Sequence, residues 1–341
     1  MNLRVTILVA LLSGFTHQLA AHASSSFYEG RTLKIVTGGS VGAGYDAQTR
    51  LVASHIGRHI PGNPAVIVQN MPAGSGMASI NHTYARAPKD GTEIGQFNRD
   101  SMLAKLLGHP QALFDLEEFN WLGTPASYSE SAWVVIIRSD LPYKNLEDIR
   151  KAEKPVIFGN GRSILIPVLR NVLGANIAVI EGYRGRQLHL AFERGEIDGF
   201  GSGYDTLTRD QADWIADKKL RFIVQYGSGK RIADLPDVPT AGEAAKNADD
   251  QALVEFCELS LTLGFPFAAP PGVPADRVQT LRKAFDSAVK DPEYFAGAKR
   301  AGLETTPRSG EALAEAVMRA ARTPPSLLER YKQLAAEARG K

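Results

Sequence analysis

Short continuous apolar runs alternate with stretches whose apolar residues recur every three or four positions, the pattern of strands followed by amphipathic helices. Residues 33–37 (LKIVT) predict a strand, a glycine-rich loop follows, and residues 47–59 predict a helix. Residues 65–69 (AVIVQ) predict a second strand, buried on both faces, which runs into Asn70-Met71-Pro72-Ala73-Gly74-Ser75-Gly76 and a helix reaching Ala87. Pro88-Lys89-Asp90-Gly91 is a turn by its proline and Asp-Gly chemistry. A third strand is expected at residues 94–97. This βαβαβ order specifies a parallel sheet covered by helices, an α/β fold.

A second set of elements starts at residues 133–137 (WVVII) and continues with a strand at 156–158, a helix over 164–173, a strand at 178–181, a helix over 187–194 and a strand at 197–200. Residues 220–225 (LRFIVQ) are expected to lead the chain back to the first set. Residues 235–239 (LPDVP) predict an ordered loop, and residues 265–268 a strand that rejoins the first sheet. In the helix that follows, Val278, Leu281, Phe285 and Val289 fall on one face. A last helix after Pro324-Pro325 carries Leu327, Leu328, Tyr331 and Leu334. The expected division is a first lobe of residues 24–124 and 228–341 and a second of residues 125–227. There is no internal repeat.

The first 23 residues read as an address. Arg4 supplies a positive charge, residues 5–15 are apolar apart from Thr6, Ser13 and Gly14, and Ala21-His22-Ala23 has the small-x-small form of a cleavage site. The run is too short for a hydrocarbon core of about 30 Å. A signal peptide cleaved after Ala23 is therefore expected, with export to the periplasm.

Composition narrows the function classes. The chain of 341 residues is 44% hydrophobic and 22% charged, ordinary for a soluble globular protein. Lys+Arg 39 against Asp+Glu 37 leaves a net charge of +2, too balanced for a protein that lives on nucleic acid. The single cysteine, Cys257, excludes an internal disulfide and a cysteine-based zinc site, and reads as a small core hydrophobe.

Three motifs invite a chemical role but have plainer readings. Gly42-Ala43-Gly44-Tyr45-Asp46-Ala47 fits G-x-G-x-x-A after a strand, but the second strand ends in Gln69-Asn70 instead of an acid for the ribose, and a tight βα turn accounts for it. Gly38-Gly39-Ser40-Val41-Gly42 fits the G-x-S-x-G nucleophile elbow, which makes a secreted serine hydrolase using Ser40 one alternative. It follows the first strand, however, with no oxyanion segment before it and no convincing late histidine. His55 and His59 have metal-ligand spacing, yet no Glu follows His55, and exposed histidines at a helix end are the simpler reading.

In parallel α/β sheets ligands bind beyond the carboxyl ends of strands, where unpaired N–H groups at helix N-termini favour an anion. Small or polar residues recur at those positions. The candidate ligand residues are Ser40, Val41, Gly42, Ala43, Gly44, Tyr45 and Asp46 after the first strand, Gly74, Ser75 and Gly76 after the second, and Arg99, Asp100 and Ser101 after the third. The second set adds Asn160, Arg162, Ser163, Tyr183, Arg184 and Gly185, with Arg186 and Tyr204 beside them. Arg99, Arg162, Arg184 and Arg186 are candidate carboxylate clamps. Asp46 has a second reading as a helix-capping acid, and Tyr45 and Tyr204 as core packing.

Taken in order, these segments resemble the periplasmic receptors of tripartite tricarboxylate transporters, the Bug or TctC-like proteins. The resemblance runs from about Phe27 to the C-terminal helices. It is carried by Gly42, Gly44 and Asp46, by VQNMPAGSG at 68–76, by APKDG at 87–91, by Gly182-Tyr183 with Gly185, by Gly195-Glu196-Ile197-Asp198, by LPDVPT at 235–240 and by APPGVP at 269–274. Two loops depart from the usual family pattern: Thr37-Gly38-Gly39-Ser40-Val41 where a Pro-Phe-rich entry is common, and Pro72-Ala73-Gly74-Ser75-Gly76 where Pro-Gly-Ala-Gly-Gly is usual. The resemblance implies a type II periplasmic-binding-protein fold, two α/β lobes with a central cleft joined by crossover strands. It implies a non-catalytic, monomeric receptor without cofactor or metal. Such a receptor captures a small organic anion, a mono- or dicarboxylate, and delivers it to integral-membrane permease subunits of a tripartite tricarboxylate-type transporter. A receptor that feeds a sensor kinase has the same ligand chemistry and is the other alternative.

Overall fold

The structure, a computed structural model, describes residues 27–128, 131–161, 163–183, 186–227 and 229–338. The expected signal peptide lies outside these residues, as do Arg162, Arg184 and Gly185. The chain divides into two compact units, residues 1–126 with 263–321, and residues 127–262 with 322–341.

The first unit is built on a six-stranded sheet. Its strands are β1 (Thr32–Thr37), β2 (Ala65–Asn70), β3 (Glu93–Gln96), β4 (Asn120–Thr124), β10 (Phe267–Ala269) and β11 (Arg308–Ser309), in the order β11-β4-β10-β3-β1-β2. β1 is central to three parallel strands, with Thr37 level with Asn70 of β2 and Gln96 of β3. β10 returns antiparallel between β3 and β4, so residues near 265–268 do rejoin the first sheet. The core joins Leu33, Ile35 and Ile94 to Val278, Leu281, Phe285 and Val289 of the helix Ala275–Val289, the face expected from its spacing. β2 differs from expectation. It is the edge strand, its residues alternate between exposed and half-buried, and Ile67 is 52% exposed, because β1 flanks it on one side alone.

The second unit has a five-stranded sheet in the order β7-β6-β8-β5-β9. Its strands are β5 (Trp133–Arg138), β6 (Val156–Asn160), β7 (Ile177–Glu181), β8 (Gly199–Gly203) and β9 (Leu220–Tyr226). β6 runs parallel to β7 and β8, while β5 is antiparallel to β8. Alternate residues of β5 enter different cores: Val135 and Ile137 meet Cys257 and the helix Leu165–Asn171, whereas Val134 and Ile136 meet Phe192, Phe200 and Trp214. A sheet covered on both faces needs apolar residues at every position of such a strand.

The division of the chain corrects the expected boundary at residue 228. The helix Ala248–Leu263 places Leu253, Val254, Cys257 and Leu261 in the core of the second unit, and the last helix, Pro325–Glu337, adds Leu327 and Leu334 to it. Burial of these apolar faces holds residues 229–262 and 322–338 with the second sheet. The loop at 235–239 is ordered as expected: the Gln225 amide donates to the Leu235 and Val238 carbonyls and accepts the Ile232 N–H.

Candidate functional site

In the first unit the parallel strands β3, β1 and β2 end level with one another, so the three following connections leave from one edge of the sheet. They stand on buried polar side chains. Thr37 Oγ1 donates to Gln96 Oε1 at 2.6 Å and accepts the Gly39 N–H at 3.1 Å. Asn70 Nδ2 donates to the Gly39 carbonyl and to Asp46 Oδ1, both at 2.8 Å. Satisfied networks of this kind hold a backbone in one arrangement.

The connections also meet directly. Gly76 has φ +90°, and a Cβ there would lie 3.1 Å from the Gly38 carbonyl oxygen and 3.2 Å from Asn98 Cβ. Ser101 Oγ donates to the Ser75 carbonyl at 2.6 Å, which ties the third connection to the second. Thus Ser40 to Asp46, Gly74 to Gly76 and Arg99 to Ser101 are brought together, as the sequence suggests.

Their side chains divide into two kinds. Asp46 is 2% exposed. It accepts hydrogen bonds from the Gly42 N–H at 2.8 Å, Arg50 Nε at 3.0 Å and Asn70. Burial alone would raise its pKa, but these bonds outweigh it and hold the carboxyl below its ordinary value. Asp46 therefore clamps the loop, and the helix Gly44–Ile56 carries it in its first turn with no side-chain cap at Ala43. Ser101 is buried and tied in the same way. Ser40, Val41, Gly42, Ala43, Gly44, Gly74 and Ser75, by contrast, are exposed, although the Gly42 N–H is taken by Asp46 and the Ala43 N–H by the Ser40 carbonyl.

Arg99 opens the helix Arg99–Leu106 beyond β3. Its backbone N–H donates to the Tyr45 hydroxyl at 3.4 Å, and its guanidinium lies 5.9 Å from the Phe265 ring centre and 3.5 Å from the Gly264 carbonyl. Among the described residues no carboxylate pairs with it. Tyr45 packs edge-on against Phe265 at 5.0 Å, and burial pushes its phenol above the ordinary value, opposed by Arg99. Asp100 is exposed, and its N–H is held by Asn98 Oδ1.

The second unit carries a pocket of about 360 Å³ at the carboxyl end of β6. Asn160, Gly161, Ser163 and Tyr183 line it, together with Trp133, Gly159, Leu188 and Gly201. Asn160 is buried and fully engaged: Nδ2 donates to the Ser163 carbonyl and Glu181 Oε1, each at 3.0 Å, and Oδ1 accepts the Ser163 N–H at 2.9 Å. It shapes the loop. Tyr204 does not line the pocket. It packs on Phe222 at 5.8 Å, and burial with the nearby Asp234 raises its phenol pKa, which is the core-packing reading. Arg186 begins the helix Arg186–Glu193.

Trp133 was missed by sequence reading, because it looks like the first residue of a buried strand. β5 is antiparallel to β8, so the start of β5 lies level with the carboxyl end of β8, opposite Gly203. A Cβ on Gly201 would sit 1.8 Å from the indole, so the ring lies flat where that glycine leaves room. The signal available in the sequence was the Gly-x-Gly spacing of 199, 201 and 203.

Ser40 has no hydrogen bond to a histidine among the described residues. The histidines bond elsewhere: His55 to the Leu51 carbonyl, His59 to Asp291, His82 to Glu93, His109 to the Gln111 N–H and His189 to Gln211. His55 and His59 are half-buried, not exposed as expected, since His55 packs against Tyr294 and His59 against Asp291.

The sequence profile of the tripartite tricarboxylate transporter family receptor, TctC, matches residues 49–322. A TctC solute-binding protein from Polaromonas, solved without ligand, matches with 19% identity over 91% of this chain and 99% of its own, at a TM-score of 0.69. MatC from Rhodopseudomonas palustris with bound malate is 18% identical over 89% of this chain and 99% of its own, TM-score 0.50. A further R. palustris protein with adipate is 14% identical over 90% and 97%, TM-score 0.51. These likenesses show the shared two-lobe α/β fold of periplasmic binding proteins.

Proposed function

The chain belongs to the tripartite tricarboxylate transporter receptor family, and from that premise we propose that it is a periplasmic receptor for a small organic anion, a mono- or dicarboxylate, which it passes to a membrane permease of the tripartite tricarboxylate type. The observation that carries this reading is Arg99, a half-buried guanidinium with no carboxylate partner among the described residues. It adjoins the exposed residues Ser40 to Gly44, which lead into the start of the helix Gly44–Ile56, and Gly74 to Ser75. A carboxylate is the group that the N–H donors of a helix start and a guanidinium fork jointly favour. The malate and adipate held by two proteins of the same fold agree with this class.

Thermal-shift measurement with malate, succinate, adipate and benzoate tests the proposal, since a ligand of the native state raises the melting temperature by mass action. No shift with any mono- or dicarboxylate would overturn the reading.

A further inference from the structure

We propose that the pocket of the second unit receives an aromatic ring, so that the anion bound by this protein is an aromatic carboxylate; this rests on the receptor reading above. Two aromatic residues, Trp133 and Tyr183, line the pocket with Leu188 and the glycines 159, 161 and 201. At about 360 Å³ it exceeds the roughly 150 Å³ apolar cavity in which benzene binds.

Among the described residues, the one side-chain amide that lines the pocket is already taken. Both amide hydrogens of Asn160 and its carbonyl oxygen are engaged within the loop. Ser163 Oγ accepts the Leu165 N–H at 3.3 Å, which leaves its own hydrogen to meet a carboxylate oxygen. The indole plane is set from two sides, by Gly201 beneath it and by an edge contact to Tyr226 at 5.8 Å and 69°. A flat apolar face held in one orientation selects a ring over a flexible chain, because a ring loses less freedom on stacking.

Terephthalate and adipate make the decisive pair, since each separates two carboxylates by four carbons and one of them does so with a ring. Titration calorimetry on the full mature chain should show terephthalate bound at least tenfold more tightly. Trp133→Ala should abolish that preference, weakening terephthalate at least tenfold more than it weakens adipate, and Trp133→Phe should restore part of it. Equal affinity for the two acids in the unsubstituted protein overturns the inference, as does a preference that survives in Trp133→Ala. Should circular dichroism show Trp133→Ala unfolded, Trp133→Leu, which keeps the bulk and removes the aromatic face, decides the same question. Binding of malate or adipate without terephthalate sinks the aromatic assignment and leaves the receptor standing. Failure of every acid sinks the receptor reading itself.

Discussion

Asn70 Nδ2 donates to Asp46 Oδ1 at 2.8 Å, and this bond joins the end of one strand to the helix that follows its neighbour. Because Asp46 also accepts the Gly42 N–H and Arg50, its removal leaves three donors without their acceptor. Asp46→Ala is expected to destabilise the fold by about 1–3 kcal/mol at pH 7. The carboxyl is held below its ordinary value, so its contribution is present above the unfolded pKa and is lost as pH falls through the lower folded one. Urea midpoints should therefore separate the two proteins at pH 7 and converge toward pH 3. A constant gap would show that the charge is not what holds the loop.

Arg99 provides the test of the anion site in the first unit. Arg99→Ala is expected to weaken binding of the best carboxylate at least tenfold, the scale of a charged hydrogen bond of about 1.5–3 kcal/mol. Arg99 has no ion pair among the described residues but touches the Gly264 carbonyl and the Phe265 ring, so stability should fall by about 0.5–1.5 kcal/mol. Arg99→Lys keeps the charge without the fork and should fall between the two. Calorimetry that shows all three proteins alike would leave backbone groups as the recognition element.

The parts that could be read from sequence and the parts that could not differ in the range of the interactions that decide them. β1, β3, β5 and the buried face of Ala275–Val289 follow from local periodicity, because each element's own residues specify which side is covered. The three connections of the first unit were legible too, since parallel strands must end at a common edge. Which unit claims residues 229–262 was not. That depends on Leu253 and Leu261 meeting Val168 and Leu169, partners about ninety positions away. The exposure of β2 depended on its being the edge of the sheet, a fact of strand order that AVIVQ does not encode. Asp46 starts a helix and Asn160 ends a strand beside the connections that the sequence marks, but their bonding partners decide that they shape the backbone.

Gly76 and Gly42 separate two costs of a side chain at positive φ. Gly42 has φ +78° with nothing near a would-be Cβ, so Gly42→Ala should cost only the backbone term of about 1–2 kcal/mol. At Gly76 a Cβ would also press on Gly38 and Asn98, forcing the connections apart. Gly76→Ala should cost more than Gly42→Ala and abolish carboxylate binding. Denaturation and calorimetry on the pair check this, and equal costs would show that the loops yield freely.

Glu258 is buried beside Tyr226 and Cys257, with Oε1 lacking a hydrogen-bond partner among the described residues. Burial pushes its pKa from 4.5 up to about 8, Glu255 adds to the shift, and the Gly227 N–H opposes it. Below the unfolded value both states hold the proton and stability is full. As pH rises from there toward 8 the unfolded chain releases a proton that the folded chain keeps, so stability falls by about 1.4 kcal/mol per unit until the folded carboxyl also ionises. Glu258→Gln cannot lose a proton and should not show that loss. The variant is therefore expected to be more stable than the parent at pH 9 by several kcal/mol, with the difference shrinking toward pH 5. Urea midpoints of both proteins across that range measure it. Parallel curves would mean that Glu258 is ionised throughout, its unpaired oxygen reached by water.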